Sequence, residues 1–451
     1  MFSARVAGRR QSAAGAVVFV WGVWLVLSVS VLHFVRTYGV DFPYYDEWEM
    51  VPAITGQQPV TLSWLWSQHN EHRMFLGRVI YLGVERLGGF DFRAGAVFDA
   101  CVLSALAAVL IGFTRRFRGR TTYPDAFFPL LMLHWGQAEN LILSFQVQFV
   151  ASSALAIIVL LLLLTRDQMR PRQALALGLC TVLFPLLGGT GLALTPALAI
   201  CVFLAGCDVR TAEYGRGWTA VGVWMLGVLA IALTAYYFVD YQRPLKHPHS
   251  DSAAATLNGA MQFLTIGGGT AAKTAWPVTK YAVLVLIGAT LGALARTVAA
   301  RSDRAPTALR LLLFLASLCS LAVGISWARS ALSPVTMFSS RYATLAAPFL
   351  CAIYLAWEVV NRAQLRRVVQ VGLFLFTAVM LIPNRDQGMQ EGILFRDLRA
   401  NIVTDLQAGV PAGELVNRYY SKMYYGGPDV LAERMHALHA RGIGIFKDLR
   451  E

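Results

Sequence analysis

Two short stretches of this chain gather side chains able to do acid–base chemistry. The first is Asp41-Phe-Pro-Tyr44-Tyr45-Asp46-Glu47-Trp48-Glu49, dense in carboxylates and aromatic rings. The second is Gln68-His69-Asn70-Glu71-His72-Arg73, an unbroken run of hydrogen-bonding residues between apolar neighbours. Aromatic faces beside carboxylates suit a sugar, because rings stack on its C–H face while carboxylates take its hydroxyls. Tyr45 and Trp48 are the expected stacking rings. A belt of Trp and Tyr also collects at any membrane interface, but carboxylates have no anchoring role there. Asp46 and Glu47 are adjacent, so on a helix their side chains diverge by about 100°. They are expected to face different partners rather than share one proton. His69 and His72 stand three apart, the spacing of one helical face. With Asp46 or Glu71 they offer a site for a divalent cation, although nothing in the sequence requires one. The spacing is not HExxH, which disfavours a zincin protease. The plainer reading is a hydrogen-bond network that binds substrate or orders the loop.

Further polar residues fall at the ends of apolar runs. Glu139, Asn140, Gln146 and Gln148 interrupt an otherwise apolar stretch. A charge at a helix centre costs on the order of 2.5–3.5 kcal/mol on insertion scales, so Glu139 is expected to face protein or water. Arg243 and Lys246, with His247 and His249, form a cationic cluster able to hold a phosphate; a solvated loop is the alternative. Arg329 and Ser339-Ser340-Arg341-Tyr342 bracket another turn. An anionic ligand explains arginine there, and an ion pair with Asp46 or Glu139 is the bland alternative. Gly267-Gly-Gly-Thr270 and Gly188-Gly-Thr-Gly191 read as a plain loop and a tight turn.

The elements that must position these groups are membrane helices. Of 451 residues, 56% are hydrophobic and only 14% charged, and the mean hydropathy is +0.53. Soluble domains carry about 25% charged residues. The fold class is therefore an all-α polytopic membrane protein embedded in the lipid bilayer. Apolar runs fall at about 14–35, 94–113, 124–145, 147–164, 173–187, 191–206, 218–238, 279–295, 308–327, 342–360 and 368–383. They predict about 11 transmembrane helices, two of them short. The first run lacks a small-residue cleavage site and is expected to stay as a span. Arginine clusters at 5–10, 115–120, 166–172, 210–216, 296–310 and 362–367 recur on one side. The positive-inside rule then places the N-terminus in the cytoplasm and the C-terminus outside. Residues 1–383 form the membrane domain, with long external loops at 36–93 and 239–278, and 384–451 form an external C-terminal region. Residues 74–87 are expected to lie on the membrane surface as an amphipathic helix.

Several functions are excluded by composition. The charge of +13 is spread between apolar runs rather than gathered on one face, so no nucleic acid is expected as partner. There is no P-loop and no Rossmann fingerprint, and the cytoplasmic turns are too short for a nucleotide domain. The six cysteines lie in or beside apolar runs without metal-type spacing.

An acidic pair in the first external loop, directly after the first span and followed by a surface helix, resembles the GT-C superfamily of membrane glycosyltransferases. The span number and external active face are similar to its protein O-mannosyltransferase branch. The motifs that carry the likeness are Tyr44–Trp48, His69–Arg73 and Ser340-Arg341-Tyr342, and the architecture covers about 1–383. The resemblance implies a polyprenyl-phosphate-linked sugar as donor. A glycan, lipid or protein of the cell envelope would be the acceptor, with inversion at the anomeric carbon. It implies a bacterial cytoplasmic membrane with an external active face. It also implies that a first-loop carboxylate acts as base or binds metal, and by position that falls on Asp46 or Glu47. Many members place a second acid in a later loop; no matching motif stands out here, and Glu139 and Glu71 are the candidates. Asp46 is the expected base and Glu47 the group that orients the acceptor or a metal. Arg341, Arg243 or Lys246 would stabilise the leaving phosphate. A transporter or flippase of lipid-linked sugars is the main rival, although its ionisable residues belong near the midplane on broken helices. A non-catalytic envelope-assembly protein and an acyltransferase using His69 or His72 are further alternatives.

Overall fold

The computed structural model describes residues 2–164, 168–211, 217–243, 249–333, 335–360 and 362–450, with side chains from residue 14 onward. Lys246, expected near a phosphate, lies outside the described residues. Among these residues nine helices are long and apolar enough to cross a bilayer. They are Ala14–Tyr38, Ala94–Arg118, Ser144–Leu163, Gly189–Thr211, Gly217–Tyr236, Val278–Ala299, Ala305–Arg329, Tyr342–Val359 and Ala363–Gln407. The chain is an all-α polytopic membrane protein.

Two of the eleven expected spans take another form. The run 124–145 is a staircase of short pieces, among them Phe127–Met132, Ala138–Ile142 and Ser144–Gln146. Pro124 and Pro129 remove backbone donors, and Gln137 takes a carbonyl of the same segment by donating to Met132 O (2.7 Å). Irregular backbone survives at membrane depth only where protein surrounds it, and residues 127–134 are buried throughout. The run 173–187 is the helix Pro171–Leu183 and a tight turn, Phe184–Leu187, ended by Gly188 at φ +95°, a conformation that glycine adopts without penalty.

The span Tyr342–Val359 is buried along its whole length and forms the centre of the bundle. Its alanines at 343, 346, 347, 352 and 356 let neighbouring helices approach closely. The last helix, Ala363–Gln407, has 45 residues. At 1.5 Å per residue it is about 70 Å long, well beyond the roughly 30 Å of hydrocarbon. Its second half therefore projects past the membrane and carries the C-terminal helices Ala412–Met423 and Pro428–Ala440. Just past Pro383, Asn384 fixes the glycine run: its side chain accepts from Ala271 N (2.9 Å) and donates to Gly268 O (2.7 Å). Gly269, at φ +96°, has no room for a Cβ against that amide.

The helix Phe75–Leu87 is amphipathic in an inverted sense. It turns Arg78, Tyr81 and Glu85 into the protein and leaves Val79 and Leu87 exposed. Arg78 donates to Ser67 Oγ (2.8 Å) and Ser67 O (3.1 Å), so its charge is spent inside the loop. An apolar outer face on such a helix suits the membrane boundary. At the opposite end of the bundle a buried network clamps three elements. Arg118 meets Asp125 (2.9 Å) and Glu358 (2.7 Å), and Tyr354 donates to Asp125 (2.7 Å).

Candidate active site

The first acidic stretch folds as a tight 3-10 turn, Tyr45–Met50, entered by Tyr45 at φ +46°. That turn separates its two acids. Glu47 points inward, where Oε2 accepts from Tyr44 N (2.9 Å) and Oε1 from Phe145 N (2.8 Å). It is 1% exposed. Burial, then the charge of Glu85, raise its carboxyl well above the usual range. This geometry does not fit the expectation that Glu47 orients an acceptor or a metal. It pins the first loop to the staircase segment. Trp48 is likewise buried, with its ring 5.5 Å from Phe446, so it is not placed to stack on a sugar.

Asp46 points outward. Its Oδ1 lies 3.1 Å from His69 Nε2, 3.4 Å from Asn70 Nδ2 and 2.5 Å from the Tyr425 hydroxyl. Its side chain keeps 39% of its surface exposed, against 10% for His69. Burial opposes ionisation, but the His69 and Tyr425 hydrogen bonds and the nearby charge of Arg341 outweigh it and hold the carboxyl at about 2. An ionised carboxylate only accepts hydrogen bonds. His69 Nε2 therefore carries its hydrogen toward Asp46. Tyr45 stands at the same edge, 42% exposed, with Tyr44 at 4.3 Å and Tyr425 at 6.3 Å between ring centres.

The second stretch is a hairpin, not a helix. Gln68–His69 pairs antiparallel with His72–Arg73, and Asn70 takes φ +47° in the connecting turn. Asn-Glu between two hydrogen-bonding strands is turn chemistry. His69 and His72 are cross-strand neighbours serving different acids: His69 meets Asp46, and His72 Nε2 lies 3.6 Å from Glu71. Glu71 also pairs with Arg329. No group of three or more His, Cys, Asp or Glu side chains among the described residues is placed to hold a metal ion. Arg73 is buried and donates to the carbonyls of Tyr237 (3.0 Å), Val239 (2.6 Å) and Trp66 (3.2 Å). It ties the hairpin to the end of the span Gly217–Tyr236 and is not available to substrate. Arg243 lies over the Trp327 ring at 5.1 Å.

Glu139 and Arg341 do come together. Glu139 Oε2 accepts from Ser339 Oγ (2.7 Å), Ser340 Oγ (3.1 Å) and Arg341 N (3.0 Å), and Oε1 lies 4.0 Å from the Arg341 guanidinium. Asn140 backs this turn by donating to Arg341 O (3.1 Å) and Thr344 Oγ1 (2.8 Å). Tyr342 is buried under the Arg341 guanidinium, 5.3 Å from its ring centre. Gln146 is buried, and its Oε1 meets no donor among the described residues. Arg341 acts electrostatically on Asp46 and Glu139 together, and so links the two acids across the bundle.

Two residues that the sequence reading did not assign complete the cluster. Tyr425 arrives from the turn between the last two helices, held there by its neighbour Tyr424, which donates to Glu49 (2.5 Å). Glu391 projects from the last long helix, and its Oε1 lies 3.0 Å from Ser340 Oγ. The signal for Glu391 was an acid eight residues past Pro383, where the apolar run stops but the helix does not. No family model, curated protein or solved structure matches this chain.

Proposed function

We propose that the protein is a membrane glycosyltransferase of GT-C type, moving a sugar from a polyprenyl-phosphate-linked donor to a cell-envelope acceptor on the external face of a bacterial cytoplasmic membrane. The observation that carries this reading is Asp46: an ionised, partly exposed carboxylate beside aromatic rings, with the Arg341 guanidinium acting on it. In the reaction the acceptor oxygen attacks the anomeric carbon, the C–O bond to phosphate breaks, and the phosphate leaves with the electron pair. The transition state is oxocarbenium-like. Charge grows on the departing phosphate, where Arg341 supports it. Asp46 accepts the hydrogen of the acceptor hydroxyl. A carboxylate at about 2 is a weak base toward a free alcohol. It is strong enough late in the reaction, when the attacking oxygen becomes oxonium-like and sheds its proton readily. His69 and Tyr425 keep Asp46 oriented. Tyr45 offers the stacking face.

The test uses membranes holding the full chain and a panel of polyprenyl-phosphate hexoses labelled in the sugar. Transfer to endogenous acceptor and release of polyprenyl phosphate should both occur, and Asp46→Asn should lower both by at least about a hundredfold with its melting temperature kept. Labelled lipid that crosses the bilayer with its sugar–phosphate bond intact would replace this reading with a flippase.

A further inference from the structure

On another flank of the bundle a crevice runs from the membrane surface into the external loops. Its lower part, about 520 Å³, lies between the ends of Ala14–Tyr38, Phe75–Leu87 and Ala94–Arg118. Leu32, Val35, Val84, Val97 and Phe98 make it apolar, and Leu32, Val97 and Phe98 are open to the outside. Its upper part, about 430 Å³, is bounded by Asp41, Arg399, Lys447 and Asp448. The two parts adjoin at Asp91 and Arg93, which line both. Both volumes fall in the roughly 300–1,000 Å³ range of ligand pockets.

The charges are ordered along this crevice. Asp41 is held by Arg399 through two bonds of 2.7 and 2.6 Å. Asp91 takes Arg93 Nε (2.8 Å) and Nη2 (2.6 Å), and Nη1 of Arg93 makes no hydrogen bond among the described residues. Arg36, which lines the lower part and is exposed, makes no ion pair among the described residues. Across the crevice the cations Arg36, Arg93, Arg399 and Lys447 outnumber the carboxylates Asp41, Asp91 and Asp448 by one. A phosphodiester carries one negative charge, and guanidinium groups bind such oxygens as charge-assisted donors.

We propose that this crevice binds a phosphodiester-headed membrane lipid, its chains along Leu32, Val97 and Phe98 and its phosphate between Arg36 and Arg93. It shares no residue with the Asp46 cluster, so the assignment does not depend on the proposed transfer. Snorkelling of Arg36 to the interface would favour anionic headgroups in general, but with no saturable site and no dependence on Val97.

Native mass spectrometry of the purified full chain in detergent separates the two. Phosphatidylglycerol should bind at one saturable site, about tenfold more tightly than diacylglycerol of the same chains, and inorganic phosphate should not displace it. Arg36→Glu and Val97→Trp should each weaken it about tenfold. Arg36→Lys should keep most of the affinity, and Asp46→Asn should leave it unchanged. Both damaging changes lie on exposed positions, and melting temperatures check that the fold survives. Equal binding of diacylglycerol, displacement by phosphate alone, or full affinity in both damaging variants would overturn the assignment.

Discussion

The Tyr425 hydroxyl donates to Asp46 Oδ1 at 2.5 Å, joining the C-terminal region to the first loop across 379 residues. Asn70 donates to the same hydroxyl at 3.1 Å, so it serves as donor and acceptor at once. Burial, then the adjacent Asp46 charge, push the Tyr425 phenol up, so it stays protonated.

Removing that hydroxyl should therefore act on Asp46 before it acts on the fold. Tyr425 is 45% exposed, and Tyr425→Phe keeps the ring. A carboxyl held at about 2 is ionised above that value, so in the wild type it imposes no acid limb on transfer near neutral pH. Loss of one charge-assisted bond raises it toward its ordinary value of about 3.9. The pH–rate profile of Tyr425→Phe should show its acid limb shifted up, and the rate at neutral pH should fall about tenfold. An unmoved limb would mean that Tyr425 only covers the site.

Glu47 offers the opposite test. Both its oxygens accept backbone N–H groups inside the protein. Gln in its place turns an NH2 group toward one of those donors, and an unsatisfied buried group costs about 1–3 kcal/mol. Glu47→Gln should lower the melting temperature while the folded fraction keeps its transfer rate. A rate loss without loss of stability would return Glu47 to the catalytic set.

The contrast between these neighbours shows what was legible. The acidic stretch, the SRY turn and the membrane class are visible because composition and local runs of polar residues carry them. Which acid faces outward is not visible, because it depends on Tyr45 adopting a positive φ and on Phe145 lying behind the turn. The spacing of His69 and His72 fits a helix equally well, and the Asn70-Glu71 turn made it a hairpin. Glu139 sits in an apolar run that reads as a span, yet its prolines and amides break it into short pieces. Tyr425 comes from distant chain, and no local pattern announces its contact; the position of Glu391 past Pro383 was visible, but its meeting with Ser340 was not.

Glu85 should leave a pH signature on stability. Burial pushes its carboxyl up to about 8. In the unfolded chain it ionises near 4.3. The folded state thus holds a proton that the unfolded state releases between these values, and stability falls as pH rises from about 4 to about 8. By pH 7 the loss is on the order of 3 kcal/mol. Glu85→Gln cannot ionise, so its melting temperature should exceed that of the wild type at pH 7 and match it near pH 4. Parallel curves for the two proteins would show that Glu85 is charged in the fold.

The Ser340 hydroxyl sets a constraint on the two acids that it joins. It accepts from Glu139 N (3.1 Å) and lies 3.1 Å from Glu139 Oε2 and 3.0 Å from Glu391 Oε1. A hydroxyl has one hydrogen to give. If Ser340 gives it to Glu139, the contact with Glu391 needs a hydrogen brought by Glu391. Gln can supply one through its NH2 group, so Glu391→Gln should keep the bridge and cost less than about 1 kcal/mol. Ser340→Ala takes the shared hydroxyl from both carboxyl groups and from Glu139 N, and should cost about 1–3 kcal/mol. In the double variant the two losses should not add, because both changes act on the same bridge. The double-mutant cycle is read from denaturant or thermal midpoints. Equal losses for the two single changes would mean that both acids are ionised and that the bridge is no more than a close approach.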